Sequence, residues 1–376
     1  MKANAPDAAP LEPLVNSIVT TTKQMPGDYD IEYASPWAGA AFQPYILVCP
    51  KKKTADGNAV LGQSCHSWHR LSLKLVSISR ELTSNARTKT LKAMTCLLDH
   101  FSLQTHGFVV YSRTTATLKQ EELPKGVDSG FKYTGVCINT SLYLPWLLGQ
   151  CRAQGVILKR GAVSHIDDLK TMHHSGKPAD VLVNASGLLA RDLGGVLDKS
   201  VVPIRGQTVL VRNEAGPLYN ISGTDDGDAE ISYLMMRASG GGTVLGGTYD
   251  KGNWSQEPDM NIAKRIIKRC VALSPQLANE KGVEGVEIIG HGVGLRPWRK
   301  DGIRLETDFD FSTKETLVVH NYGHAGWGYQ GSYGCAEYVV ELVEGFQKDR
   351  NVVDEAKLWR FLHLLSSAIV ERSTIP

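Results

Sequence analysis

Between Thr316 and Val343 the chain runs from a β-rich segment into a glycine-spaced turn and then into a helical repeat. Thr316 to Asn321 reads as a strand stopped at Gly323, Gly326-Trp327-Gly328-Tyr329-Gln330-Gly331 as the turn, and Ala336, Val339, Val340 and Val343 as one face of a following helix. A strand and a helix joined this way must bury their apolar faces against further layers, which commits this end of the chain to an α/β or α+β architecture. Glycines in the turn let a ligand approach the backbone. Free N–H groups and the positive end of the helix dipole favour a ligand oxygen carrying negative charge. A complete dinucleotide unit would need a second strand with an acidic end about 20 residues later. Here the chain runs instead into Glu344 to Arg350.

The same alternation recurs upstream. Asp180 to Ala185 before Gly187, Thr208 to Arg212, Thr243 to Tyr249 and Val286 to Gly290 read as strands, with Gly240-Gly241-Gly242 as a turn between two of them. Leu142 to Ala153 places Leu144, Leu147, Leu148 and Cys151 on one helical face, with Pro145 expected in the first turn and Gly155 as the stop. Asp259 to Leu273 does the same with Ile262, Ile266, Ile267 and Cys270, and Lys264, Arg265, Lys268 and Arg269 are expected to form a solvated face. A length of 376 residues suits roughly two domains, interleaved because the β-rich middle from Val201 to Pro297 sits between helix-flanked ends.

Composition narrows the function classes. Forty-one Lys and Arg against thirty-nine Asp and Glu leave no broad basic surface, so neither a nucleic acid nor an anionic membrane is expected as a partner. No stretch of about 18 apolar residues occurs, and the first fifteen residues lack a signal-peptide core. The seven cysteines are odd in number and contain no C-x-x-C pair, which points to an intracellular, reducing compartment. Hydrolase, zincin and P-loop motifs are missing. Cys65-His66-Ser67-Trp68-His69 has no second ligand cluster, so no metal is expected.

The string Val318-Val319-His320-Asn321-Tyr322-Gly323-His324-Ala325-Gly326-Trp327-Gly328-Tyr329-Gln330-Gly331-Ser332-Tyr333-Gly334-Cys335-Ala336 resembles the signature of the FAD-dependent D-amino-acid oxidase family, fungal type. Ala34 to Ala40, Arg205-Gly206-Gln207 and His291 to Pro297 are similar to that family's flavin-covering loop, R-G-Q turn and substrate-arginine segment. The resemblance spans 15–45 and 107–347. It implies an α/β fold in which a FAD-binding Rossmann-like domain (15–45, 150–210 and 285–347) is interleaved with a mixed, largely antiparallel substrate domain (46–149 and 211–284). A tail, 348–376, follows.

The resemblance further implies FAD as cofactor, and oxidative deamination of D-amino acids, neutral ones foremost, by hydride transfer from Cα to flavin with O2 as final acceptor. Arg296 matches the residue that holds the substrate carboxylate, Tyr233 and Tyr249 the two active-site tyrosines, and Gly326 the carbonyl that accepts from the substrate amine. For the cofactor it implies Trp37, Ala38, Gly39, Val163, Ser186, Gly187, Arg205, Gly206, Gln207, Ala325, Gly326, Trp327, Gly328, Tyr329 and Gln330. Ser17 to Thr22 resembles the family's second strand, so the first strand and its G-x-G-x-x-G unit are expected to be missing and the dinucleotide domain N-terminally incomplete. Ala41 stands where a polar residue is usual. Ser373 to Pro376 is not an S-K-L type address, so the implied peroxisomal location stands beside a cytoplasmic one, and a homodimer is left open. Two alternatives remain at this stage: a D-aspartate oxidase using Arg237 as a second cation, and a FAD-poor relative without catalysis.

Overall fold

The computed structural model describes residues 18–41, the short strands 52–53, 59–60 and 80–85, and 116–349 apart from 125–126, 128–129, 136, 222–223 and 225. Cys65 to His69, Met1 to Leu14 and the tail beyond residue 349 lie outside the described residues. The first described strand is β1, Val19–Thr22, and it lies within the expected Ser17 to Thr22 segment. Next come β2, Arg80–Asn85, β3, Gly130–Gly135, and helix α1, Thr140–Ala153. Because α1 starts at Thr140, Pro145 falls beyond the first turn rather than in it, on the exposed side of the helix.

Most of the described strands belong to one large sheet. After β4, Ile157–Arg160, and β5, Val181–Asn184, it is built on β6, Val201–Val211, followed by β7, Leu218–Ile221, β8, Glu230–Met236, and β9, Thr243–Thr248. After helix α2, Met260–Leu273, strand β10, Ile288–Arg299, runs antiparallel to the whole of β6. The order β10, β6, β9, β8, β7, β2, β3 is antiparallel throughout except where β7 meets β2. Two expectations change here. The Arg205-Gly206-Gln207 segment is the middle of β6 and not a turn, because β-branched neighbours and continuous pairing with β10 carry the strand through the glycine. The strand expected to end at Gly290 continues to Arg299 for the same reason.

Helix α2 covers one face of this sheet. Asp259 caps it by accepting from the Asn261 and Ile262 N–H groups at 2.7 and 3.3 Å, which satisfies two of the orphan donors of the first turn. Ala263, Ile266, Ile267 and Cys270 then meet Val209, Val211, Leu234 and Leu245 in the largest core. The opposite side of α2 is only half solvated. Arg265 and Arg269 both pair with buried Glu230, Arg269 at 2.6 Å, and Arg269 also reaches Asp226, so only Lys264 and Lys268 behave as the free surface charges expected.

Two smaller sheets complete the α/β part. Strand β1 pairs with β4 in parallel, and β11, Arg304–Thr307, pairs with β12, Leu317–Tyr322, which pairs in parallel with β5. Helix α3, Gly328–Asp349, lays Val339, Val343 and Phe346 on Leu317 and Val319. Ala336, expected on that face, is exposed, and Cys335 is buried in its place. A polar chain ties these sheets to β10: Asn184 to His320 at 3.1 Å, His320 to Asp308 at 2.8 Å, Arg304 to both Asp308 and Tyr322, and Tyr322 to Asp198, which also takes Arg299. Burial would raise the Asp198 carboxyl, but hydrogen bonds from Ser200, Arg299 and Tyr322 hold it at about 2. No described helix is long and apolar enough to cross a membrane, and no cluster of three metal-ligating side chains occurs among the described residues.

The Glu230 cluster makes a direct prediction. Arg269→Ala strips a buried carboxylate of one of its two cations and is expected to cost about 2–4 kcal/mol, whereas Lys268→Ala is expected to stay within about 0.5 kcal/mol. Urea midpoints of the two variants check this, and equal midpoints would contradict the pairing.

Candidate active site

Side chains alternate across a strand, so Arg205 and Gln207 point to one face of β6 and Gly206 to the other. The first face is structural. Arg205 is buried and donates to the Ser255 and Glu257 carbonyls at 2.9 and 2.7 Å, and Gln207 brackets Asp259 with bonds of 2.7 and 2.9 Å. These two residues, expected at the cofactor, lock β6 to the start of α2.

The second face is floored by glycine. In register, Gly206 stands opposite Gly294, and Thr208 lies between Gly292 and Gly246. Three large side chains lie flat there. The Arg296 guanidinium covers Gly206, where an added Cβ would sit 2.5 Å from its Cζ. The Tyr233 ring overlaps the space that a Cβ on Gly246 would need, and its hydroxyl would be 2.8 Å from one on Gly247. The Trp37 indole packs over Gly292 and Gly294. Glycine is needed at these positions for close approach, not for a turn.

Arg296 is half-buried and donates to the Thr248 carbonyl at 3.1 Å, and its guanidinium lies 5.7 Å from the centroid of Tyr249. Tyr233 is buried, which raises its hydroxyl above the usual phenol range, while the charge and hydrogen bond of Arg296 pull the other way. Tyr249 is 43% exposed and stands at the mouth of the cluster. The structure thus brings Arg296, Tyr233, Tyr249 and Trp37 onto one face of the sheet. Thr248, whose carbonyl orients the guanidinium and whose hydroxyl accepts from the Gln207 N–H at 2.8 Å, was not anticipated, because a backbone acceptor leaves no side-chain signature.

The glycine-spaced turn joins this face through a bridge between Trp298 and His324, two residues beyond Arg296 on β10. A single turn of 3-10 helix, Ala325–Trp327, leads into α3 at Gly328, with Ala325 held at φ +51°. An added Cβ at Gly326 or Gly328 would meet nothing within 4 Å, so open space lies beside the turn. Burial lowers the His324 imidazole to about 4, so it enters the turn neutral. Tyr329 turns back and donates to the Ser35 carbonyl at 3.0 Å, tying the turn to the loop that carries Trp37, Ala38 and Gly39. Gln330 lies in the first turn of α3. Ser186 and Gly187 open a 3-10 helix after β5, Gly187 lying against Pro297 at φ +60°, and Val163 lies half-buried in the loop after β4. Ala41 forms a bridge to Cys137 and packs with Leu218 and Met235, an apolar seat rather than a polar contact.

These residues fit a flavin. Ser186 Oγ and Asn321 Oδ1 are buried with no hydrogen-bond partner, one at the end of β5 and the other at the end of β12. The 3-10 turn and the positive end of α3 stand beside the open space at Gly326 and Gly328. A ring system with carbonyl and N–H edges would suit both features.

Comparison with known proteins agrees with that fit. The sequence is 46% identical over 335 residues to a D-amino-acid oxidase of Fusarium vanettenii, covering 88% of this chain and 90% of that protein. It is 33% identical to a D-amino-acid oxidase of Schizosaccharomyces pombe, covering 86% and 87%. Its fold is similar to glycine oxidase from Geobacillus kaustophilus, with a TM-score of 0.60 at 18% identity over 87% of each chain. It is also similar to the FAD-bound L-alpha-glycerophosphate oxidase of Mycoplasma pneumoniae, with a TM-score of 0.55 at 12% identity over 88% and 90% of the two chains. Residues 86–342 match the family described as FAD dependent oxidoreductase, and with the glycine-floored face, the helix-borne turn and these relatives in agreement, the chain belongs to that family.

Proposed function

We propose that the chain is a D-amino-acid oxidase, which deaminates D-amino acids to 2-oxo acids with release of ammonia and H2O2. The observation that carries this reading is the Arg296 guanidinium laid flat on Gly206 between Tyr249 and the Thr248 carbonyl. A guanidinium presents two parallel N–H donors to a carboxylate, and in a cleft walled by aromatic rings that pairing is stronger than in water. Tyr233 offers a second donor from a hydroxyl that burial keeps protonated. Tyr249, at the mouth, supplies a ring over the bound substrate and limits water entry.

The cofactor reading assigns the flavin ring to Trp37, Ala38, Gly39 and the Ala325 to Gln330 turn, with Ser186, Gly187, Gly206 and Val163 around it. Arg205 and Gln207 act at one remove, by holding Gly206 in place. The chemistry that bound FAD supplies is acceptance of a hydride from the substrate Cα, followed by return of the electrons to O2. The chain orients the reacting bond. Arg296 fixes the carboxylate and the Gly326 carbonyl accepts from the amine, so only one enantiomer can present its Cα hydrogen to the ring while its side chain enters the pocket. No side-chain base is required when the amine is already neutral. This division places the cofactor on 15–45, 150–210 and 285–347 and the substrate on 46–149 and 211–284.

Neutral substrates are favoured over D-aspartate by the state of Arg237. Its guanidinium is buried and donates to the Pro36 and Ala38 carbonyls, so the cation proposed for a second carboxylate is already engaged. Peroxide release over a panel of D- and L-amino acids is expected to be fastest with neutral D-amino acids and undetectable with L-enantiomers. Faster turnover of D-aspartate would reverse the assignment.

Two variants probe the carboxylate seat. Arg296→Ala is expected to lose about 2–5 kcal/mol of substrate carboxylate binding, about 30-fold to several-thousand-fold, with the fold retained and Arg296→Lys recovering only part. Titration with an aromatic carboxylate together with thermal melts checks this, and unchanged affinity in a destabilised protein would make Arg296 structural. Gly206→Ala, whose methyl would displace the flexible end of Arg296, is expected to raise KM at least about tenfold, equivalent to about 1.4 kcal/mol, with little change in Tm. An unchanged KM would show that Arg296 does not need the glycine floor.

A further inference from the structure

The loop from Ser35 to Ala40 is held by its carbonyl groups. Ser35 O accepts from Tyr329 Oη at 3.0 Å, Pro36 O from Thr140 Oγ1 and Arg237 Nη2 at 3.1 Å each, and Ala38 O from Arg237 Nη2 at 2.9 Å. Gly39 O accepts from Cys137 Sγ at 3.0 Å and Ala40 O from the Ile138 N–H at 3.1 Å. Five of the six carbonyls in this stretch are thus tied into the protein, and Arg237 alone holds two of them.

Arg237 is an unusual residue to find there. It follows β8, its backbone N–H closes the hairpin on Gly242 O at 2.9 Å, and Asn139 pins the adjoining turn through Ala238 O at 2.9 Å. The side chain is buried, its Nε has no partner, and no carboxylate pairs with it among the described residues. A buried cation without a counter-ion is costly, and burial accordingly lowers the pKa of this group. Among the described residues its hydrogen bonds go to the Pro36 and Ala38 carbonyls of the loop. A neutral side chain of similar length would fill the same space without that cost, so the charge has a task that packing does not explain.

We propose that Arg237 is a positioning residue for FAD: its charge gathers the Pro36 and Ala38 carbonyls inward and so presents the outer edge of the loop, with Trp37 seated on Gly292 and Gly294, to the flavin. This rests on the cofactor reading of the loop given above. Thr140 and Tyr329 share the load at Pro36 and Ser35, which makes the clamp a joint between α1, the β8 hairpin and the start of α3.

The test uses the full chain as wild type, Arg237→Met and Arg237→Lys, with two readouts. Hydrogen exchange followed by mass spectrometry, without added FAD, is expected to show the amides of residues 34–41 exchanging at least about tenfold faster in Arg237→Met, with α2 amides unchanged. Fluorescence titration is expected to show FAD affinity falling at least about tenfold in Arg237→Met, with Arg237→Lys between the two because an ammonium holds one carbonyl well and two poorly. Exchange within twofold of wild type in 34–41 would overturn the clamp. Faster exchange with unchanged FAD affinity would overturn its link to the cofactor. A wild-type chain that takes up no FAD contradicts the cofactor reading itself, and the exchange readout still decides the clamp. A change in the ratio of D-aspartate to D-alanine turnover without faster exchange would make Arg237 a specificity cation and overturn the proposal.

Discussion

A sheet face floored by glycine at four positions is the constraint on which the site depends. Gly206, Gly246, Gly292 and Gly294 come from three neighbouring strands and lie in register, so the backbone of β6, β9 and β10 is open to contact from one side. Arg296, Tyr233 and Trp37 use that opening to lie flat against the sheet. Any Cβ in the floor would lift one of these side chains by more than its contacts tolerate, and the rings that wall the cleft would no longer meet the guanidinium. The opposite face of the same strands is densely packed, with Val209, Val211, Leu234 and Leu245 against α2. One sheet therefore separates a rigid core from a cleft at the distance of a single backbone layer, which is how a scaffold holds an orienting group without a mobile element.

Charge is placed by the same economy. Arg205 and Gln207 fasten β6 to the start of α2, and Arg265 and Arg269 close the far end through Glu230. The chain from Asn184 through His320, Asp308, Arg304 and Tyr322 to Asp198 joins the small parallel sheet to β10. At Glu230 and along the chain from Asn184 to Asp198 carboxylates meet the guanidinium groups, whereas Arg205 is met by backbone carbonyls. Arg296 and Arg237 lean on backbone carbonyls as Arg205 does, Arg296 on Thr248 with the Tyr233 hydroxyl beside it, and Arg237 on Pro36 and Ala38. Arg296 and Arg237 thus carry positive charge to the strands and loop around Trp37.

Much of this was legible in the sequence where chemistry and local pattern coincide. The strand, glycine turn and helix at the C-terminal end read directly from Val318 to Val343, and α2 from its apolar spacing. Arg296 could be named because it stands in a segment that resembles a family motif, and Tyr233 and Tyr249 because they match the family's two active-site tyrosines. What could not be read is long-range. Nothing in the local sequence says that Gly206 lies under Arg296, since they are 90 positions apart and meet only through the β6–β10 register. Arg265 and Arg269 looked like a solvated face because buried Glu230, which pairs with them, sits on strand β8. Arg237 was read as a cation for substrate because the carbonyls that engage it belong to a loop 199 residues away.

The most direct test of the account is a crystal structure of the FAD-loaded chain soaked with a simple aromatic carboxylate. The account places the carboxylate on the Arg296 guanidinium above Gly206, within hydrogen-bond reach of Tyr233 and beneath the Tyr249 ring, with the flavin along the Ala325 to Gln330 turn. A carboxylate bound elsewhere, with Arg296 still directed only at the Thr248 carbonyl, would contradict it.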